Sequence, residues 1–283
     1  VVVTVLHHIA GDGFSLQPLI RDLMVAYTNL RDGKNPDLEP LEVQYADFAI
    51  WQRTLLGELE SPTERAAEGL SFWRTELADM ADLLMLPTDR PRPHVATGAG
   101  GYIDADIDAD LATGIRGLAR DRGVTPFTVV HAALAIVLSR WAEVDEVSIG
   151  TAVAGRDEPA TAELVGMFVN TVVLRTAVSS VDTVADLLER AHETKTRAVQ
   201  HADIPFEWIV DAVSPERSAS HTPLFQVALT MHPGHATTLH HFDESARLID
   251  ARVPAAKFDL SITVTDQADA GGYDLELSYA ADI

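Results

Sequence analysis

Apolar residues are spaced differently in the first six positions and in the segment that follows. The run from Val1 to Leu6 is apolar and rich in β-branched residues, which predicts a strand buried on both faces. From Ser15 to Leu30 apolar residues recur every three or four positions, which is typical of an amphipathic helix with Ser15 as its N-cap. The apolar face of this predicted helix comprises Leu16, Leu19, Leu23, Tyr27 and Leu30.

Two further helices are predicted near 43–57 and 62–80, before a stretch dense in proline and glycine. That stretch, LPTDRPRPHVATGAGG at 86–101, has no apolar period and is interpreted as a linker. The chain is therefore divided into a first domain over 1–90 and a second over 91–283.

The second domain has the pattern of mixed helices and strands, which predicts an α/β (α+β) fold. Helices are predicted at 110–122, 125–142 and 182–200. Strands are predicted at 102–108, 146–154, 168–176, 223–231, 247–253, 258–266 and 273–280.

Charge and composition narrow the possible partners. The 283 residues include 21 basic and 43 acidic side chains, and the formal net charge of -22 disfavours nucleic acid and anionic membranes as partners. There is no cysteine, which removes disulfides, thiolate metal sites and cysteine nucleophiles. No apolar run reaches the roughly 18 residues of a membrane helix, and no secretion signal is recognisable. A cytoplasmic location is expected.

The densest group of reactive side chains follows the first apolar run, in the stretch HHIAGDG at 7–13. His7 or His8 can act as a general base near neutral pH. Gly11 and Gly13 permit tight turns and close approach to a ligand, and Asp12 can orient a histidine or pair with an arginine. Adjacent residues of an extended chain point to opposite sides, which disfavours a zinc site. The same geometry predicts that one histidine faces a cleft and that the other points into the fold. Since no nucleophilic side chain stands out nearby, the simplest chemistry is direct transfer between two bound substrates.

These motifs, taken in order, resemble the condensation domains of nonribosomal peptide synthetases. HHIAGDG matches the HHxxxDG active-site motif of that family in full. Five further segments resemble the family's later motifs in the family's order, at 45–53, 149–175, 201–227, 257–266 and 275–283. The resemblance spans essentially the whole chain.

The resemblance implies a two-lobed architecture of the chloramphenicol acetyltransferase kind, with the active site in a tunnel between the lobes. The N-terminal lobe is expected to be incomplete, since its active-site strand begins at Val1, and the last motif stops short at Ile283. A piece of this kind is expected to be inactive by itself.

The resemblance also implies roles for individual residues. The candidate catalytic set is His8, Asp12 and Gly13: His8 is the catalytic histidine, Asp12 holds the loop by a salt bridge, and the Gly13 N–H lies near the oxyanion. His7 and Arg156 are supporting residues, with Arg156 as the candidate partner of Asp12. Asn170, a polar residue in an apolar strand, completes the supporting set through an expected hydrogen bond near the tunnel.

The implied reaction is peptide-bond formation between substrates that arrive on the 4′-phosphopantetheine of upstream and downstream peptidyl carrier proteins. No cofactor or metal is expected in the domain itself, and an adenylation domain is expected in the same polypeptide. Epimerization, another acyltransferase reaction of the same fold and a catalytically silent recruitment domain remain alternatives. The stretch HPGHATTLHH at 232–241 is interpreted as a variable, solvated loop, with a metal site as its alternative.

Overall fold

The computed structural model describes residues 3–215, 217–232, 252–267 and 270–283. The helices among them are α1 (Leu16–Arg31), α2 (Tyr45–Leu56), α3 (Glu64–Glu76), α4 (Ala109–Asp121), α5 (Pro126–Ala142), α6 (Val184–Gln200) and α7 (Phe206–Val213). The strands are β1 (Gly57–Glu58), β2 (Ser61–Pro62), β3 (Gly100–Ile107), β4 (Glu146–Val153), β5 (Asn170–Ala177), β6 (Val227–His232), β7 (Leu260–Asp266) and β8 (Tyr273–Ala280).

Helix predictions from apolar spacing are confirmed, and local signals explain where several of the helices begin. Thr125 caps α5 by accepting from the Thr128 N–H, with proline at the first helical position. Asp108 caps α4, and Thr183 forms a capping box with Asp186 at the start of α6. The short α7 was not predicted, since its 8 residues give little more than two turns of pattern.

A six-stranded mixed sheet in the order β3-β8-β7-β6-β4-β5 confirms the α/β class. The pairs β4–β6 and β6–β7 are parallel, whereas β8 lies antiparallel to both β7 and β3. Apolar residues of this sheet form a buried cluster with residues of α5 and α6. Its fully buried members include Val147, Ile149, Val227, Leu229, Val264, Ala135, Leu138, Leu188 and Ala191.

The strand predicted at Val1–Leu6 is wrong for the residues that the structure describes. Residues 3–6 form neither strand nor helix and are exposed, and they belong to no ladder among the described strands. A strand is stabilised by hydrogen bonds to a neighbouring strand, so apolar, β-branched composition is insufficient by itself. The apolar face predicted for α1 is likewise largely exposed, at Leu16, Leu23, Tyr27 and Leu30. The strand predicted at 247–253 lies mostly outside the described residues, and so does the histidine-rich stretch after His232.

The described residues divide into two compact units. Unit 1 contains 3–67 and 153–170, and unit 2 contains the remainder. The segment that directly follows Ala67 belongs to unit 2. Within it, Trp73 Nε1 donates to the His201 carbonyl at 3.0 Å, and Gly69 lies against the Ile204 side chain. The division between domains at 90/91 concerns the lobes of the family that the sequence resembles, and it stays a prediction.

The proline- and glycine-rich stretch at 86–101 is irregular up to β3, as its composition predicts, but unit 2 holds it firmly. The Ala96 N–H donates to the Ala219 carbonyl at 2.9 Å, and the Thr97 hydroxyl donates to Asp282 at 2.7 Å. Arg92 forms a two-pronged ion pair with Asp259. This stretch is therefore part of the packed structure of unit 2.

Among the described residues no single helix is both long and apolar enough to cross a bilayer, and α4 with α5 meets that test only as a pair bent by 105°.

We expect the stability of unit 2 to depend on pH through His131 in α5. The ring is fully buried, its Nδ1 has no hydrogen-bond partner among the residues that the structure describes, and burial lowers its pKa from 6.5 to about 4. The unfolded chain therefore binds a proton below pH 6.5 that the folded chain does not accept until about pH 4. Stability should fall by about 3 kcal/mol as pH falls across this window, with the full contribution present above it.

Urea unfolding at several pH values measures this dependence. His131→Leu should flatten the profile between pH 6.5 and 4, because it removes the buried ionisable group. The control His94→Gln removes an exposed histidine and should leave the slope as in the unsubstituted protein. An unchanged slope in His131→Leu would contradict the assignment.

Candidate active site

Two short 3₁₀ turns shape the histidine loop, which we define as His7–Ser15. In the first turn, His8–Ala10, the His7 Nδ1 accepts a hydrogen bond from the Ile9 N–H at 3.2 Å. The second turn, Gly13–Ser15, leads directly into α1 and has a capping box between Asp12 and Ser15. Polar side chains of the loop itself thus cap both of its turns.

Both histidines of the loop are exposed. The expectation that one ring points into the fold is wrong, since both are exposed and His7 turns back to cap the first turn. The difference arises because these residues lie at the start of a 3₁₀ turn, where neighbouring side chains do not alternate as in a strand. His8 is therefore an accessible imidazole in a folded loop.

Asp12 is the most tightly held side chain of the loop. Its Oδ1 accepts from the Ser15 N–H at 2.9 Å, the Ser15 hydroxyl at 2.8 Å and Arg156 Nη2 at 3.0 Å. Its Oδ2 accepts from the N–H groups of Phe168 and Val169 at 3.0 and 3.2 Å. A carboxylate accepts about four hydrogen bonds, so this one has no capacity left for a substrate or a metal. The Asp12 carboxylate is thus bound entirely within the protein, and its role in holding the loop stays a prediction.

Electrostatics keep the Asp12 carboxyl ionised. Burial alone would raise its pKa, but the hydrogen bonds from Phe168, Ser15 and Arg156, with the charge of Arg156, outweigh burial and lower the pKa below 3.8. The unfolded chain therefore takes up a proton before the folded chain does as the pH falls. The stability that this carboxylate contributes is present above pH 3.8 and is lost as the pH falls through the lowered pKa.

Arg156, the candidate partner from the sequence analysis, forms a buried ion pair with Asp12, with side chains 7% and 0% exposed. Its Nη1 donates to the carbonyls of Thr161 and Leu164 at 2.6 and 2.9 Å. Its guanidinium lies 4.1 Å from the centre of the Phe168 ring. One guanidinium thus connects the histidine loop to the chain between 156 and 168, and the part this plays in catalysis stays a prediction.

Two other predicted site residues lie in different surroundings. Gly13 is exposed, and among the residues that the structure describes no atom beyond its two chain neighbours lies within 4 Å of where a Cβ would stand. Asn170 is half-buried and begins β5, directly after Val169, whose N–H binds Asp12. The oxyanion role of Gly13 and the tunnel hydrogen bond of Asn170 remain predictions.

Sequence reasoning missed several residues that complete this arrangement. Ser15 was predicted to cap α1, but its hydroxyl makes no cap bond to that helix and lies against Asp12 and Gly166 instead. Gly155 has φ +64, and a Cβ there would stand 2.1 Å from the Phe168 carbonyl oxygen. Tyr45 lies against Gly166, where a Cβ would stand 2.1 Å from its ring. The sequence signal for these contacts was the presence of glycine at positions 155 and 166 within a motif. A glycine alone does not show which neighbouring residue requires it.

The family model described as "Condensation domain" matches residues 1–283. The chain belongs to this family of condensation domains. It is similar to a probable non-canonical nonribosomal peptide synthetase, CymA, of Salinispora arenicola, at 43% identity over 283 residues. Among solved structures it is similar to the X-domain from teicoplanin biosynthesis, with a TM-score of 0.87 and 30% identity. The complex of that X-domain with OxyB matches with a TM-score of 0.85 and 31% identity.

Coverage differs strongly between these proteins. The match takes in 100% of this chain and 4% of the length of CymA. It takes in 98% of this chain and 63% or 61% of the two X-domain chains. The chain thus spans a small part of its synthetase relative and less than two thirds of the solved domains.

Proposed function

We propose that this chain forms peptide bonds between substrates carried as thioesters. The acceptor's amine attacks the carbonyl carbon of the donor thioester, a C–N bond forms, and the C–S bond breaks with release of the donor's thiol. The amine loses one proton and the leaving sulfur gains one, so the reaction needs no oxidant or reductant. The supporting observation is the exposed His8 imidazole in a loop whose Asp12 forms a buried ion pair with Arg156.

His8 takes the part of the group that accepts the amine's proton and returns it to the leaving sulfur. General base catalysis contributes about 10²–10⁴ in rate, whereas alignment of two bound reactants contributes effective molarities of about 10⁵–10⁸ M. We therefore expect a variant that lacks the His8 side chain to retain some dipeptide formation. Gly13 N–H contributes to the oxyanion's stabilisation, and Asn170 supports the same site.

The partners follow from the substrates. Donor and acceptor reach the site on the 4′-phosphopantetheine of upstream and downstream carrier proteins, and an adenylation domain of the same polypeptide loads the acceptor's carrier. No cofactor of the domain's own takes part in the transfer, and the reaction takes place in the cytoplasm. Activity belongs to the complete polypeptide rather than to residues 1–283 alone.

The test uses the complete polypeptide with aminoacyl-loaded donor and acceptor carriers. Intact-protein mass spectrometry follows the dipeptidyl thioester on the downstream carrier. We expect product from the unsubstituted protein and about 10²–10⁴-fold slower formation in His8→Ala, because the proton acceptor is removed. His94→Ala, at an exposed histidine of unit 2, is the matched control and should form dipeptide at the unsubstituted rate.

Recruitment of another protein is the second candidate, and the likeness to an X-domain solved in complex with OxyB favours it. A recruitment domain would form no dipeptide from loaded carriers, across several pairs of amino acids, and His8→Ala would change nothing. Dipeptide formation that depends on His8 would exclude recruitment as the chain's only role.

A further inference from the structure

The Ser15 hydroxyl stands where the histidine loop meets the chain segment 164–169. Ser15 is fully buried. Two acceptors lie within reach of its Oγ, Asp12 Oδ1 at 2.8 Å and the Gly166 carbonyl at 2.9 Å. Three donors also reach it: Arg156 Nη2 at 3.0 Å, the Gly166 N–H at 3.1 Å and the Asp12 N–H at 3.2 Å.

A hydroxyl donates one hydrogen bond and accepts two, so these five neighbours use its full capacity in any arrangement. The site has no water-facing side, and removal of the hydroxyl would leave several buried polar groups without this partner. A capping serine at the surface is easier to replace, since water can form the hydrogen bonds that its hydroxyl would make. Ser15 therefore does more than begin α1.

Segment 164–169 is held from a second side by Tyr45 of α2. The Tyr45 hydroxyl donates to the Met167 carbonyl at 2.9 Å, and its ring meets the Phe168 ring edge-on at 5.1 Å. Tyr45 also occupies the space that a side chain at position 166 would need. Tyr45 thus fixes segment 164–169, and the Ser15 hydroxyl joins the histidine loop to that segment.

A short path leads from Ser15 to His8. Gly11 is buried beside Ser15, where a Cβ would stand 3.3 Å from the Ser15 Cβ, and the Gly11 N–H donates to the His8 carbonyl at 3.3 Å. The His8 ring is exposed, so its position depends mainly on the backbone that carries it. A shift of about 1 Å in a catalytic group can cost about 10²-fold in rate.

We propose that Ser15 is a positioning residue, whose hydroxyl locks the histidine loop onto segment 164–169 and so sets where His8 stands. The proposal rests on the proposed function, because it gives His8 a part in the transfer step. It predicts that Ser15 and His8 act as one unit, so their losses do not add.

A double-substitution cycle in the complete polypeptide tests this, with single-turnover dipeptide formation on loaded carriers as the readout. Ser15→Ala should slow formation about 10²-fold. In the His8→Ala background the same change should alter the rate by less than about twofold. Ser139→Ala removes a buried hydroxyl of unit 2 and should change the rate by less than about twofold in both backgrounds.

A purely structural role would give the same loss in both backgrounds, and that result, or no loss at all, would overturn the proposal. Hydrogen exchange supplies an independent reading that needs no turnover. Amides of residues 8–13 should exchange about tenfold faster, or more, in Ser15→Ala and not in Ser139→Ala. If Ser15→Ala does not fold, Ser15→Cys keeps a weak donor of similar size and replaces it.

Failure of the proposed function is distinguishable from failure of this inference. If the unsubstituted polypeptide forms no dipeptide, the proposed function is rejected. The exchange of residues 8–13 alone then decides whether Ser15 locks the loop. Hydrogen exchange also decides the positioning role if His8→Ala leaves no measurable rate. Unchanged exchange in Ser15→Ala would then overturn the positioning role.

Discussion

Asp12→Asn should destabilise the protein by about 3–5 kcal/mol, although the two side chains have nearly the same shape. All five partners of the carboxylate are donors, on Ser15, Arg156, Phe168 and Val169. The amide of asparagine would turn an NH₂ group against donors in either orientation, and the buried Arg156 would lose its counter-charge. The loop that carries His8 should loosen, so dipeptide formation should fall with stability.

Urea unfolding of the complete polypeptide at neutral pH, with a signal from unit 1, measures the loss of stability. The loaded-carrier assay measures the loss of dipeptide formation. Glu163→Gln is the matched control, because the Arg21–Glu163 ion pair belongs to the same unit but is exposed. Exposed ion pairs contribute about 0–1 kcal/mol, so this change should be nearly silent. Equal, small effects of both substitutions would show that the buried pair does not hold the loop.

Asp259→Asn should destabilise unit 2 by a similar amount, about 3–5 kcal/mol. Arg92 donates to both oxygens of Asp259 and also to the Ser220 carbonyl at 3.2 Å, with the two side chains of the pair 18% and 7% exposed. Asparagine keeps one acceptor at most and leaves a largely buried guanidinium without its counter-charge. Since Arg92 lies in the proline- and glycine-rich stretch, that stretch should become more accessible to proteases.

Two further variants separate the charge from the packing. Asp104→Asn removes a carboxylate whose ion pair with Arg252 is exposed, so it should change unfolding by less than about 1 kcal/mol. Replacing both partners, with Arg92→Met and Asp259→Leu together, should recover much of the stability, because no unpaired charge remains. A double variant as unstable as Asp259→Asn would mean that packing around the pair, and not its charge, decides the loss.

Local pattern was sufficient for most secondary structure. Helices α4 to α6 and the six long strands overlap the segments in which apolar spacing predicts them. The same kind of pattern failed at Val1–Leu6, since strand formation needs hydrogen-bond partners that lie elsewhere in the chain. It also failed for Ser15, because a serine before a helix caps it in many proteins and here binds Gly166, 151 positions away.

The amino-acid sequence by itself determined the mixed α/β class, the family and the loop that carries His8, because motif letters and apolar periods are local properties. Arg156 could be named as the partner of Asp12 only through the family resemblance. The tertiary structure decided that Asp12 binds main-chain N–H groups at 168 and 169, that Gly155 and Gly166 leave no room for a side chain, and that Ser15 joins two segments. Nearly every residue has the same backbone N–H donor, and a close approach does not alter the identity of the neighbouring residues. These contacts therefore form only when distant parts of the chain pack together, and local sequence does not reveal them.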